Sequence, residues 1–183
     1  MHAINRPKGH KTMRRYMLDT NVFNHILDGK VGFEALAGKD LVATHVQRDE
    51  LAKTKDESRK EALLKVFAEL TPDQAVTTSA IAGVSVADGA AASGGGVVPT
   101  ESAAWGVSRW GQAKWGAEDD IFAGMRADLD ALNKRKGNNV EDILIAETAI
   151  RNQWMLITSD ADLFAVVTKY GGSCANVFAL CKF

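Results

Sequence analysis

Hydrophobic and polar positions fall into blocks along the chain, and the blocks predict alternating strands and helices. The apolar start of Tyr16–Thr20 predicts a short strand that runs into a polar trio, Asp19-Thr20-Asn21, with a helix around Val22–Leu27 behind it. "DLVATH" (Asp40–His45) predicts a second strand. It leads into one long charged helix, "VQRDELAKTKDESRKEALLKVFAEL", which stops before Thr71-Pro72 because proline cannot continue the helical ladder. Regularity returns near the end. "NNVEDILIAETAIRNQ" predicts a helix with Asn138 or Asn139 as its cap. "WMLITSD" (Trp154–Asp160) predicts a buried strand, "ADLFAVVTKYGG" a helix closed by glycines, and "CANVFAL" a final strand. Strands alternating with helices imply a single α/β domain, a three-layer α/β/α arrangement with a mostly parallel central sheet.

Between these halves lies a stretch of different character, at about 75–137. "ADGAAASGGGVVP" is small and loop-like. "WGVSRWGQAKWG" repeats Trp-Gly every five residues at Trp105, Trp110 and Trp115, a period that fits no single helix or strand face. Arg109 and Lys114 each precede the next tryptophan. Aromatics interleaved with cations can stack bases and bind phosphates, although anchoring an insertion to the core is the commoner use of tryptophan. The domain reading is therefore a basic arm over 1–13 and one domain over 14–183, carrying an insertion at about 75–137.

Composition narrows this only a little. With 183 residues, 46% hydrophobic and 25% charged, the chain is an ordinary globular sequence long enough for one core. Its net charge of −1 points to no polyanionic partner. The first eighteen residues, however, carry Arg6, Lys8, Lys11, Arg14 and Arg15 and no acid. Cys174 and Cys181 match no zinc spacing and suit free thiols in a reducing cytoplasm. No run of about 18 apolar residues suggests a membrane span, so a cytoplasmic protein is expected.

Acids occupy the positions with most chemical content. Asp19 follows one predicted strand and Asp160 another. In a parallel sheet both lie at the carboxyl edge, where open α/β folds place their sites. Stepping about 100° per residue along the Asn138 helix places Asp142 inside the stripe of Ile143, Ala146, Ala149 and Ile150. Glu141, Glu147, Thr148 and Arg151 fall on the other side. A carboxylate on a buried stripe needs a partner, and other carboxylates cannot supply one. In "VQRDELAK" the same construction turns Glu50 inward in preference to Asp49. An all-oxygen set of this kind suits Mg²⁺ or Mn²⁺ rather than zinc, since no His or Cys joins it. His25 and His45 lie nearby and read as structural residues.

"MLDTN", "DEL", "EDILIAETAI" and "LITSDADLF" together resemble the PIN-domain nucleases, in particular the VapC-type toxins, and occur in that family's order. The resemblance covers most of the chain outside the middle insertion. It implies a PIN-like fold and a metal site formed by Asp19, Glu50, Asp142 and Asp160, with Asp160 rather than Asp162 at the motif position. It further implies that Thr20, Asn21 and Thr158 orient those carboxylates. The activity implied is Mg²⁺- or Mn²⁺-dependent hydrolysis of RNA to 5′-phosphate and 3′-hydroxyl ends. The implied partners are RNA and, for a toxin, a protein antitoxin; a homodimer is compatible with both. Arg14, Arg15, Arg109, Lys114 and the cations of "NKRKGN" are the candidate nucleic-acid contacts. Two other readings compete. A haloacid-dehalogenase-type phosphotransferase needs an acid where this chain has Asn21. A non-catalytic PIN-fold module acting through the tryptophan-rich insertion would be expected to lose acids that are all present here.

Overall fold

The computed structural model describes residues 14–78 and 121–180. Five strands form one parallel sheet: β1 (Arg15–Leu18), β2 (Asp40–Thr44), β3 (Gln74–Ala75), β4 (Met155–Thr158) and β5 (Ser173–Asn176), in the spatial order β3-β2-β1-β4-β5. The helices are α1 (Thr20–Leu27), α2 (His45–Ala52), α3 (Glu57–Leu70), α4 (Ile121–Asn133), α5 (Asn139–Arg151) and α6 (Ala161–Lys169). The expected α/β architecture with helices on both faces of a parallel sheet is what forms.

The two faces can be read from the alternation within each strand. Met17, Val42 and Leu156 point to one side, where Met125 and Leu129 of α4, the apolar residues of α5, and Leu163, Val166 and Val167 of α6 complete a core. Leu18, Ala43 and Ile157 point to the other, against Val22, Phe23 and Ile26 of α1 and Leu63, Val66 and Phe67 of α3. Phe23 and Phe67 meet there at 5.3 Å between ring centroids. β1 is central and pairs in register with both neighbours: Met17 lies opposite Val42 on one side and Leu156 on the other. This registration brings the carboxyl ends of β1 and β4 side by side.

Several boundaries differ from the sequence reading, each for a local reason. β1 ends at Leu18, and Asp19 instead caps α1 by accepting from the Thr20 N–H. α2 already begins at His45, because Thr44 and Gln47 form a capping box: the Gln47 Oε1 accepts from the Thr44 N–H at 2.8 Å. The single long helix divides into α2 and α3, where Lys53 closes the first and the Asp56 carboxylate accepts from the Arg59 N–H to open the second. The final strand is only Ser173–Asn176; the Asn176 side chain then accepts from the Phe178 N–H, turning the chain into a short 3-10 helix, Val177–Ala179. Residues 121–133, placed in the middle stretch by the sequence, form α4 and contribute Met125 and Leu129 to the core. The glycine-rich run and the Trp-Gly repeat, with Arg109 and Lys114, lie outside the described residues. No helix among the described residues is long and apolar enough to cross a membrane.

Candidate functional site

Adjacent parallel strands put Asp19 and Thr158 within reach of each other at one edge of the sheet. The Asp19 N–H continues the ladder to the Ile157 carbonyl at 2.9 Å. Its side chain is 2% exposed and satisfied by three donors: the Thr20 N–H at 2.7 Å, the Asn21 amide at 2.5 Å and the Thr158 hydroxyl at 2.6 Å. Asn21 fastens the two strand ends together. Its Nδ2 also donates to Thr158 Oγ1 at 3.1 Å, while its Oδ1 accepts from the Ser159 N–H at 3.2 Å. Thr158 Oγ1 in turn accepts from the Asp160 N–H at 2.9 Å.

The other acids arrive on helices. Asp160 caps α6, its Oδ1 accepting from the Asp162 and Leu163 N–H groups at 2.8 and 3.0 Å. Its Oδ2 faces Lys136 Nζ at 3.5 Å. Glu50, on α2, accepts from the Thr20 hydroxyl at 2.6 Å. Asp142 lies in the first turn of α5, 7% exposed, and accepts from Asn138 Nδ2 at 3.1 Å. Among the described residues Asp142 has no cationic partner.

The electrostatics show how closely these groups are grouped. Burial, and then the charges of Asp19, Glu50, Asp160 and Glu141 in that order, push the Asp142 carboxyl up to about 9. Burial also raises Asp19, to about 6; the Thr158 hydrogen bond opposes this, and Glu50 and Asp160 add to it. Glu50 is raised chiefly by burial, with Glu141 pushing the same way and the Thr20 hydroxyl and Lys53 pulling it back. Thus the four acids named from the sequence influence one another at a single edge of the sheet. Thr20, Asn21 and Thr158 are the polar groups holding two of them.

As placed, no group of three or more His, Cys, Asp or Glu side chains among the described residues is arranged to hold a metal ion. The carboxylates are turned instead toward the hydroxyl, amide and N–H donors just described. The donor set itself is that of a hard divalent cation, all carboxylate oxygen, with Asp142 buried and, among the described residues, lacking a positive partner.

Some candidate residues lie elsewhere, and some contributors were not anticipated. Arg15 starts β1, four residues from Asp19 and so roughly 13 Å away along an extended strand, and pairs with Asp40 at 2.9 Å. The structure therefore does not bring Arg14 and Arg15 to the acids. Glu141, assigned to the outer face, stands close enough to act on both Glu50 and Asp142, with Lys53 Nζ 3.2 Å from its carboxylate. Gln47 was also missed. Fully buried, it donates to the Leu18 carbonyl at 2.8 Å and locks the α2 corner to the end of β1; the "THVQ" capping-box pattern was its signal. His25 Nε2 hydrogen-bonds the Ser159 hydroxyl at 2.9 Å; among the described residues, its Nδ1 and the Nε2 of His45 have no hydrogen-bond partner. Glu147 and Thr148, expected outside, are buried because α4, α6, α2 and β4 all pack around α5; Glu147 there pairs with Arg151 at 2.9 Å.

No protein-family model and no curated protein matches this chain. Solved structures do. The chain is similar to VapBC2 from Rickettsia felis, solved bound to a DNA fragment from its promoter, with 13% identity and a TM-score of 0.42 over 88% of this chain and 98% of that one. It is also similar to VapBC-5 from Mycobacterium tuberculosis, a member of the VapBC family of toxin–antitoxin systems. That match has 19% identity and a TM-score of 0.41 over 89% and 97% of the two chains.

Proposed function

We propose that this chain is a PIN-type, divalent-metal-dependent endoribonuclease and the toxin of a toxin–antitoxin pair, with 14–183 as its catalytic domain and 1–13 as a basic arm. The observation that carries the reading is the grouping of Asp19, Glu50, Asp142 and Asp160 at the carboxyl edge of the sheet, with Asp142 pushed up to about 9 by burial and by its neighbours. Such an arrangement is costly for a protein with no use for it. The ordered PIN motifs in the sequence support the same assignment.

In this reading the four acids hold Mg²⁺ or Mn²⁺. When bound, the cation supplies positive charge to the scissile phosphate and acidity to the attacking water. The remaining roles belong to the chain. Asp19 is fixed by Thr158, Asn21 and the Thr20 N–H, so one buried carboxylate keeps its position without a cation. Thr20 couples that strand end to Glu50 through its hydroxyl. The Asp162 and Leu163 N–H groups hold Oδ1 of Asp160, leaving Oδ2 with the exchangeable contact to Lys136 Nζ at 3.5 Å. The Asp142 carboxyl, raised to about 9, carries a proton near neutrality that a cation would displace, whereas Asp19, raised to about 6, is mostly ionised there.

The test is cleavage of a labelled mixed-sequence single-stranded RNA, beside a DNA of the same sequence, with Mg²⁺, with Mn²⁺ and in EDTA. Cleavage of the RNA that disappears in EDTA and in both Asp19→Asn and Asp142→Asn is the expected result. Wild-type protein that binds Mn²⁺ no better than these variants in calorimetry would overturn the four-acid site. A binding module acting through the tryptophan-rich segment would then be the better account. Co-expression with the adjacent reading frame tests the antitoxin, which should co-purify and suppress cleavage.

A further inference from the structure

Beside the carboxylates stands a basic loop that they do not themselves require. Lys134, Arg135 and Lys136 follow one another between α4 and α5, and all three are exposed. Lys134 and Arg135 both sit at φ 59°, the left-handed region that residues other than glycine seldom enter, and here two do so in succession.

The loop is held in this shape from beneath. Asn139, 2% exposed, donates to Asp130 Oδ1 at 2.6 Å and to Asn133 Oδ1 at 2.8 Å; Asn133 returns a bond to Asn139 Oδ1 at 2.7 Å. The Arg135 N–H reaches the Asp130 carbonyl at 3.2 Å, and the Asn139 N–H reaches the Lys136 carbonyl at 3.2 Å. Two paired amides, Asn139 buried and Asn133 half-buried, thus fix an outer turn that carries three cations in succession. Strain maintained by such a network points to use of what the turn displays.

Among the described residues, Lys136 is the one cation of the loop whose side chain has a partner. Its Nζ lies 3.5 Å from Asp160 Oδ2, an exposed and therefore easily exchanged contact. Among the described residues Lys134 and Arg135 have no acidic partner. Asp160 does not depend on Lys136 for its position, because two N–H groups hold its other oxygen. A cluster of acids repels an incoming polyanion, and fixed cations on its rim counter that repulsion.

We propose that the Lys134–Lys136 loop binds the phosphates of the nucleic-acid strand entering the carboxylate site, with Lys136 exchanging its contact with Asp160 for a strand phosphate. This rests on the nuclease reading above and adds to it the surface that receives the substrate backbone.

Binding of a fluorescein-labelled single-stranded RNA is measured by anisotropy across a salt series. The full chain carrying Asp19→Asn prevents cleavage, with Mg²⁺ present. Lys134→Gln/Lys136→Gln in that background is compared with Lys39→Gln/Lys65→Gln, which removes the same charge just before β2 and from the exposed side of α3. Each phosphate contact contributes about 0.7 to the slope of log affinity against log salt for a single strand. The loop pair should therefore lower that slope by about 1.4 and weaken binding about tenfold or more at low salt, while the control pair leaves the slope in place. Equal effects of the two pairs, or no effect of the loop pair on a chain that binds RNA, would overturn the loop and leave the nuclease reading standing. RNA bound by none of these proteins, and cleaved by none with the native Asp19, would overturn both. Mn²⁺ calorimetry on the loop variant built on the native Asp19 confirms that the acid site is still folded.

Discussion

Replacing Asp142 by Asn should stabilise the metal-free protein, and the gain should grow with pH. An Asp whose carboxyl lies near 3.8 when unfolded and about 9 when folded must take up a proton on folding at any pH between these values. A raised folded-state acid therefore makes stability greatest at low pH and erodes it as pH climbs from about 4 to about 9. With about 1.36 kcal/mol per pH unit, this cost reaches about 4 kcal/mol at pH 7 and about 2 kcal/mol at pH 5 as upper values. An asparagine carries no such requirement, and its Oδ1 can still accept from Asn138 Nδ2, which donates to Asp142 at 3.1 Å. Urea unfolding in EDTA at both pH values measures the difference. The variant should gain about 1–2 kcal/mol at pH 5 and about 2–4 kcal/mol at pH 7. Mg²⁺ at a hundred times its Kd should offset most of that gain, because it stabilises the folded wild type by about 2.7 kcal/mol and leaves the variant nearly unmoved. A variant that is less stable than wild type in EDTA, or whose gain is the same at both pH values, would refute the crowding of Asp142 by neighbouring acids.

Other expectations are more local. Thr158→Val removes a buried donor that holds Asp19 down, so it should cost about 1–3 kcal/mol and weaken Mn²⁺ binding about 10–100-fold, with a larger deficit at pH 6 than at pH 8 in calorimetry. Leu156→Ala, at a fully buried position of β4, should lose about 2–5 kcal/mol in urea unfolding. Gly172→Ala would set a Cβ 2.6 Å from Ile150 Cγ1 and 3.1 Å from the Val167 carbonyl oxygen, and should cost about 1–3 kcal/mol by the same assay. Burial pushes the Cys174 thiol up to about 12, so iodoacetamide at pH 8 should label it at least about a hundredfold more slowly in the folded chain than in urea, followed by peptide mass spectrometry.

Much of the site was legible because periodicity decides which way a side chain faces. A strand that ends on an acid, and an acid inside the apolar stripe of a helix, are local patterns, and parallel pairing converts them into neighbours. Other features depend on contacts between distant residues. Glu147 and Thr148 fall on the polar side of α5, yet that helix is enclosed on several sides, so even its polar face is buried. β3 has two residues, too few for any alternation to register, and exists through its pairing with β2. The break between α2 and α3 contains neither proline nor glycine to mark it and is set by the Asp56 cap. Lys136 could be named as a basic residue from sequence; only the fold of its loop places it beside Asp160.

The hydrogen bonds at the sheet edge also explain why the acids can be grouped before any cation arrives. Asp19 and Asp160 each hold backbone N–H donors, and Asn21 and Thr158 join the two strand ends with neutral groups. Neutral donors lower the cost of a buried carboxylate without cancelling its charge. An arginine in their place would pair with the acids and close the site. Asp142 differs: among the described residues it has one amide donor and four acidic neighbours, while Lys53 and Lys136 face Glu141 and Asp160 instead. Negative charge is thereby most costly at the carboxylate with least support. A proton satisfies it up to about pH 9, and near neutrality a divalent cation competes with that proton for the same oxygens. Asp142 is accordingly where the stability of the fold and the proposed chemistry oppose each other most strongly.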